Sequence, residues 1–204
     1  MVFAWGILAP LAVIVARYFK ILPGQDWPQK LDNQLWWHSH RMAHTCVLGL
    51  SILGLVLVLP LQISELSLHG ALGCGVLVAL VLQVALGVFR GSKGGPTASA
   101  PDGSLRGDHY DMTPRRRWFE TLHKAIGYSV LVLAGVTILY GLVLANGPNW
   151  MSILIVLWWF LLGLGCIFFQ RKGMATPSYL AIWGPDQIHP GNTEETGKPK
   201  TGTL

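Results

Sequence analysis

The chain has 204 residues, half of them hydrophobic (51%) and only 12% charged, against roughly 25% charged in an average soluble domain. With a mean hydropathy of +0.45, these totals exclude a disordered chain, a collagen-like chain and an ordinary cytoplasmic enzyme, and leave an integral membrane protein. The net charge of +5 then reads as basic loops on one side of a membrane rather than as nucleic-acid binding.

A membrane crossing needs about 20 apolar residues. The first predicted span is 2–20, uncharged until Arg17 and Lys20 close it. No basic segment precedes it, so it reads as a retained helix rather than a signal peptide. The second span, 42–62, contains no Lys, Arg, Asp or Glu, and the third, 67–90, ends at Arg90. The uncharged run Ala125–Gln170 is too long for one crossing and is broken by Asn146-Gly147-Pro148-Asn149, which gives spans 120–145 and 150–170 joined by a tight turn. The expected fold is all-α: an integral membrane bundle of five transmembrane helices. Residues 1–145 form its core, 146–171 an additional helix and 172–204 a cytoplasmic tail. Gly91–Arg117 reads as a polar loop ending in the basic triplet Arg115–Arg117.

Basic residues fall on one side. If side B is where the first helix ends, it receives Arg17, Lys20, Lys30, Arg41, Arg90, Lys93, Arg106, Arg115, Arg116, Arg117, Lys124, Arg171, Lys172 and the C-terminal tail. The opposite side, A, has the loops around 59–68 and 146–149 and receives none. The positive-inside rule makes side B cytoplasmic, with the N-terminus outside and the C-terminus inside, as in a bacterial inner-membrane protein. The three cysteines, Cys46, Cys74 and Cys166, lie in apolar runs without a C-x-x-C pair, so there is no c-type haem attachment motif.

The seven histidines carry the chemistry, because an ionisable ring near the hydrocarbon is costly and usually serves a function. His40 opens the second span and His123 the fourth, both from side B, so they lie at similar depth. Two neutral imidazoles at one depth on facing helices suit the axial positions of a haem iron. His44, one turn after His40, is the alternative ligand. His69 opens the third span from side A and cannot share that iron. His69-Gly-Ala-Leu-Gly73 and His123-Lys-Ala-Ile-Gly127 both place a glycine one turn after the histidine, where a flat macrocycle can approach; glycine packing between membrane helices explains the same pattern without a ligand. Arg41, Lys124 and the Arg115–Arg117 triplet lie beside His40 and His123, where they suit haem propionates; anionic lipid explains the triplet equally well. His38, His109 and His189 read as solvated.

Several stretches resemble the cytochrome b561 family: Ala4-Trp-Gly-Ile-Leu-Ala-Pro10, Trp36-Trp-His-Ser-His-Arg41, Leu68-His-Gly-Ala-Leu-Gly73 with Gln83 and Gly87-Val-Phe-Arg90, and Trp118 through His123-Lys-Ala-Ile-Gly-Tyr128 with Gly141. The resemblance is closest to the bacterial and DOMON-associated branch, covers about residues 1–145, and includes no DOMON domain. It implies a four-helix haem-binding core with a histidine ligand on each helix, of which the second, third and fourth are His40, His69 and His123. The family pairs the second with the fourth. Its first histidine lies roughly two helical turns before the Ala-Trp-Gly stretch, ahead of Met1. The resemblance therefore implies one haem b at His40 and His123. A second, at His69, needs a ligand from upstream or from the Met1 end of the helix.

The leading functional expectation is a b-type cytochrome that moves electrons in a membrane, an oxidoreductase component with a quinol or another small reductant as donor and quinone as a second candidate cofactor. Its partners are membrane lipid, that donor and the subunits of a larger complex; no nucleic-acid-binding fold surrounds the basic triplet. The competing expectation is a small accessory membrane subunit that anchors or stabilises a respiratory or photosynthetic complex, with a structural haem or none. A transporter is the weakest reading, because the spans are poor in acidic and amide residues, with Gln62 and Gln83 the nearest candidates.

Overall fold

The computed structural model describes residues 1–58, 67–91, 93–99, 101–104 and 113–185, and among these it is helical with no strands. His109, His189 and Gln62 lie outside the described residues. Helix α1 is Val2–Tyr18, wound as a π-helix over Val2–Leu8 and as an α-helix over Ala9–Tyr18. It is followed by α2 (Leu35–Val58), α3 (Leu68–Phe89), α4 (Pro114–Leu144), α5 (Asn149–Arg171) and the short α6 (Ser178–Trp183). Helices α2 to α5 are each long and apolar enough to cross a membrane; α1, with its 17 residues, is shorter.

The helix starts follow from local capping chemistry. Ser67 accepts from the Gly70 backbone N–H at the head of α3, and Thr113 from that of Arg116 at the head of α4, where Pro114 occupies the first turn. That cap places the Arg115–Arg117 triplet inside the first turn of α4 rather than in a loop. Likewise α2 begins at Leu35, seven residues before its apolar run, because Asn33 Oδ1 accepts from the Leu35 N–H and holds the first turn. His38 and His40 therefore sit within a formed helix. The break at 145–148 closes with Gly147 N–H donating to Leu142 C=O (2.9 Å), and Asn146 takes a left-handed φ of 48°.

The core brings Ala4, Trp5 and Ala9 of α1 against Val47 of α2, Val76 and Leu80 of α3, and Val130, Ala134 and Ile138 of α4. The main helix pairs are α3 with α4 and α1 with α2. Small residues let the backbones close up, since dispersion packing rather than a hydrophobic driving force holds helices together in lipid. Gly135 is one example: a Cβ there would stand 3.0 Å from the Trp159 ring. Helix α5 buries none of its residues and is tied on by indoles, with Trp158 and Trp159 Nε1–H both donating to the Gly6 carbonyl (2.9 and 3.2 Å). In the core, Trp5 Nε1–H donates to Ser51 Oγ (3.0 Å).

At side B the connecting segments converge on Asp32, which is 2% exposed. Its carboxylate accepts from Lys93 Nζ (2.7 and 2.9 Å), Thr97 Oγ1 (2.7 Å) and Trp36 Nε1 (2.8 Å), and its backbone N–H donates to Ala181 C=O. Burial holds the Lys93 ammonium below its ordinary pKa, and the Asp32 carboxylate opposes that shift. The stretch after α5 folds back over this end: α6 buries Tyr179, Ala181 and Ile182, and Ile182 lies against Gly95. Part of the segment expected to be a tail thus belongs to the folded body.

Asp32→Ala leaves a buried ammonium and an indole N–H unpaired, and is expected to cost about 3–5 kcal/mol. Thermal denaturation in detergent reads this as a lowered midpoint. The double substitution Asp32→Leu with Lys93→Met is expected to recover most of the loss, because it removes the stranded charge.

Candidate functional site

Three imidazoles gather at the side-B end of the bundle. His40 and His44 lie one turn apart on α2 with ring centroids 4.5 Å apart. His123, on α4, faces His40 with centroids at 6.1 Å and ring planes at 70°. The facing of α2 and α4 therefore joins the two positions that depth alone made comparable. Helix α1 completes the set: His40 Nδ1 lies 3.3 Å from the Ala12 carbonyl, so the Nδ1–H tautomer donates there and leaves Nε2 with a free lone pair. Metal-ligating histidines usually anchor their second ring nitrogen in this way. On its other side His123 stacks on Phe119 (centroids 5.0 Å, planes at 27°).

The spacing can be tested against a bis-imidazole iron. With a metal–nitrogen distance of about 2.0–2.1 Å and the ring centroid about 1.1 Å further out, two imidazoles on opposite sides of one ion hold their centroids about 6.3 Å apart. His40 and His123, at 6.1 Å, match this; His40 and His44, at 4.5 Å, are too close to be opposite ligands. Among the described residues no cluster of three or more His, Cys, Asp or Glu has the geometry to hold a bare metal ion. The pair suits an ion whose remaining ligands come from a macrocycle.

The glycines after the histidines have different surroundings. A Cβ at Gly127 would meet the Gln83 amide nitrogen at 3.3 Å, and that amide donates to the His123 carbonyl (2.8 Å). Gln83 thus ties α3 to the backbone of His123 itself, and the absent side chain at Gly127 leaves it room. Gly73 faces open space, with no described atom within 4 Å of the place a Cβ would take. His69 lies at the other end of the bundle, packed on Gly141: a Cβ there would be 2.5 Å from His69 Cε1. The Tyr140 ring stands 6.3 Å away, and His69 Nδ1 has no partner among the described residues.

The basic residues divide by burial. Arg41 is exposed, its guanidinium 5.4 Å from the Trp37 ring centre. Lys124 is also exposed and reaches Glu120 at 3.6 Å. Within the triplet Arg116 is buried, with Nη2 donating to Glu120 (3.2 Å), while Arg115 and Arg117 are exposed. Arg90 is buried as well, stacked over Trp37 (4.3 Å) and Phe119 (5.3 Å). His38 bonds to Gln34 at the surface (2.9 Å). Phe119, Glu120, Gln83 and Tyr179 are site residues that the sequence reading did not assign. Glu120 carries a legible signal, since it stands four residues after Arg116 and four before Lys124, the ion-pair spacing of a helix. Tyr179 has no such signal.

Over 153 residues the chain is 31% identical to a cytochrome b561 and DOMON domain-containing protein of Arabidopsis thaliana, an alignment covering 72% of this chain and 34% of the relative. The chain thus spans about a third of that relative's length. No family model matches the chain, and no solved structure does. The similarity supports the cytochrome b561 family and, with the four apolar helices, an integral membrane protein.

Gly141→Val forces a side chain into the space of the His69 imidazole and is expected to destabilise by about 1–3 kcal/mol, as overpacking does. Adding His69→Ala should return most of that loss. If the two substitutions are strictly additive in thermal unfolding, the His69–Gly141 contact is wrong.

Proposed function

We propose, with similarity to a cytochrome b561 protein as the premise, that this chain is a b-type cytochrome for membrane electron transfer, holding haem b between His40 and His123 near side B. The observation that carries this reading is the 6.1 Å spacing of the two rings, with Nδ1 of His40 directed to the Ala12 carbonyl. When bound, the haem supplies the one-electron redox chemistry. The protein's own residues set its surroundings. Ala12 fixes the His40 tautomer, Gln83 holds the backbone of His123 through its carbonyl, and Phe119 backs the His123 ring.

The basic residues and the first helix complete the proposal. Side B is the cytoplasmic side, α1 is a fifth crossing, and Arg41 and Lys124 stand at the membrane surface on that side. The position for a second haem is His69, near side A, where the glycine at 141 leaves the ring its place and Gly73 leaves open space one turn on; that haem requires a second ligand besides His69. The electron donor belongs to the class of quinols and other small reductants. Two haems at opposite ends permit transfer across the bilayer, whereas one permits exchange at side B.

The test is a pyridine haemochrome assay and a reduced-minus-oxidised spectrum of the purified chain. The expected result is b-type bands that are lost in His40→Ala and in His123→Ala and kept in His44→Ala. A chain purified in folded form that neither carries nor takes up haem overturns the reading.

A further inference from the structure

Two arginines at side B have too few acceptors. Arg90 is 8% exposed and Arg116 2%. Nε and Nη2 of Arg90, and Nε and Nη1 of Arg116, are buried and find no acceptor among the described residues. Both guanidiniums lie against the same ring, 5.3 and 5.2 Å from the centre of Phe119, and the Arg90 charge is close enough to feel repulsion from Arg116 and Arg41. The nearby anion is Glu120, and it is heavily shared: it accepts from Arg116 at 3.2 Å, lies 3.6 Å from Lys124 Nζ and bonds to the Tyr179 hydroxyl. Burial, and then Glu120, keep the Tyr179 phenol well above its usual pKa, so it stays neutral and contributes no negative charge.

Ordered water would fill the empty donor positions but would leave the excess positive charge buried, and buried charge is stable only when paired. A guanidinium fork is the geometry that grips a planar carboxylate through two parallel N–H bonds. The site's position narrows the choice of anion, because the Phe119 ring that carries both arginines is the one on which His123 stacks.

We propose that Arg90 and Arg116 form a carboxylate-binding site beside the His40–His123 pair, with Phe119 as its floor and Trp37 covering Arg90. The inference rests on the haem reading for one of its two sources, the propionates of the porphyrin. The other source is a diffusible carboxylate that docks next to the porphyrin. Arg90 and Arg116 bind the ligand directly. Glu120, itself bonded to the Tyr179 hydroxyl, is a positioning residue that holds Arg116 through Nη2 and leaves Nε and Nη1 without an acceptor.

The experiment uses the full chain, stripped of haem in detergent and titrated in parallel with iron protoporphyrin IX and with its dimethyl ester, which lacks the two charges. If the propionates are the ligand, the wild type binds the diacid at least tenfold more tightly than the ester. Arg90→Gln and Arg116→Gln bring that ratio towards one while ester affinity changes by less than twofold, and Arg90→Lys, which keeps charge but not the fork, gives an intermediate ratio. If the ligand is diffusible, the ratio is the same in all variants, and millimolar succinate raises the thermal midpoint of the wild type but not of Arg90→Gln. An unchanged ratio together with no succinate effect overturns the proposal. Failure of the wild type to bind either porphyrin defeats the haem reading instead, and the succinate measurement on the haem-free chain then decides the arginine site alone.

Discussion

A bilayer offers no hydrogen-bond partners, so a polar group inside the bundle must find one within the chain or in a ligand. Most interior polar groups of this protein do so over short distances between helices. Trp5 reaches Ser51, the two indoles of α5 share the Gly6 carbonyl, and the Gln83 amide of α3 reaches the His123 carbonyl of α4. These bonds fix which faces of α1, α2, α3, α4 and α5 meet, and every site described above depends on that arrangement. Among the described residues, the buried side-chain atoms without a partner include the Trp27 indole nitrogen and, at the proposed cofactor positions, one ring nitrogen each of His69 and His123, the Gln83 carbonyl oxygen, and four nitrogens of Arg90 and Arg116.

Helix α1 shows how packing and chemistry are linked. It is shorter than α2 to α5, yet its small residues let it sit deep in the bundle: Ala4, Ala9 and Ala12 are each at most 4% exposed. Close approach brings the Ala12 carbonyl to His40 and the Gly6 carbonyl to α5. The same helix thus sets the tautomer of a candidate ligand and anchors the outermost helix. At side B the Asp32–Lys93 pair plays the corresponding part for the connecting segments, drawing the loop before α2, the loop after α3 and helix α6 over the end where the histidines and arginines lie.

The histidines illustrate the limits of reading a sequence for a site. Depth along a helix follows from counting residues from a charged boundary, so His40 and His123 are comparable by counting alone, as is the separation of His69. The closeness of His44 to His40, at 4.5 Å, follows from their i, i+4 spacing on one helix, whereas the 6.1 Å spacing to His123 depends on how α2 and α4 are rotated against each other. The glycines give a subtler lesson. Gly127 matches a pattern that leaves room for a macrocycle, and the group beside it in this fold is the Gln83 amide, bonded to the His123 carbonyl. Local pattern shows that space is left open; only the neighbouring helix shows what enters it.

The sequence by itself determined the all-helical class, the long apolar helices and the collection of basic residues at one end, because apolar length and charge are properties of a contiguous segment. It also located the turn at 146–149, whose Asn, Gly and Pro act within a few residues. Tertiary structure decided what depends on contacts between distant segments. It set the burial of Arg116 among three consecutive arginines and the approach of Arg90 to the same aromatic ring. It also folded α6 over side B. A residue's partner across a helix interface is fixed by rotation, tilt and close packing of the whole bundle, and no short stretch of sequence encodes these.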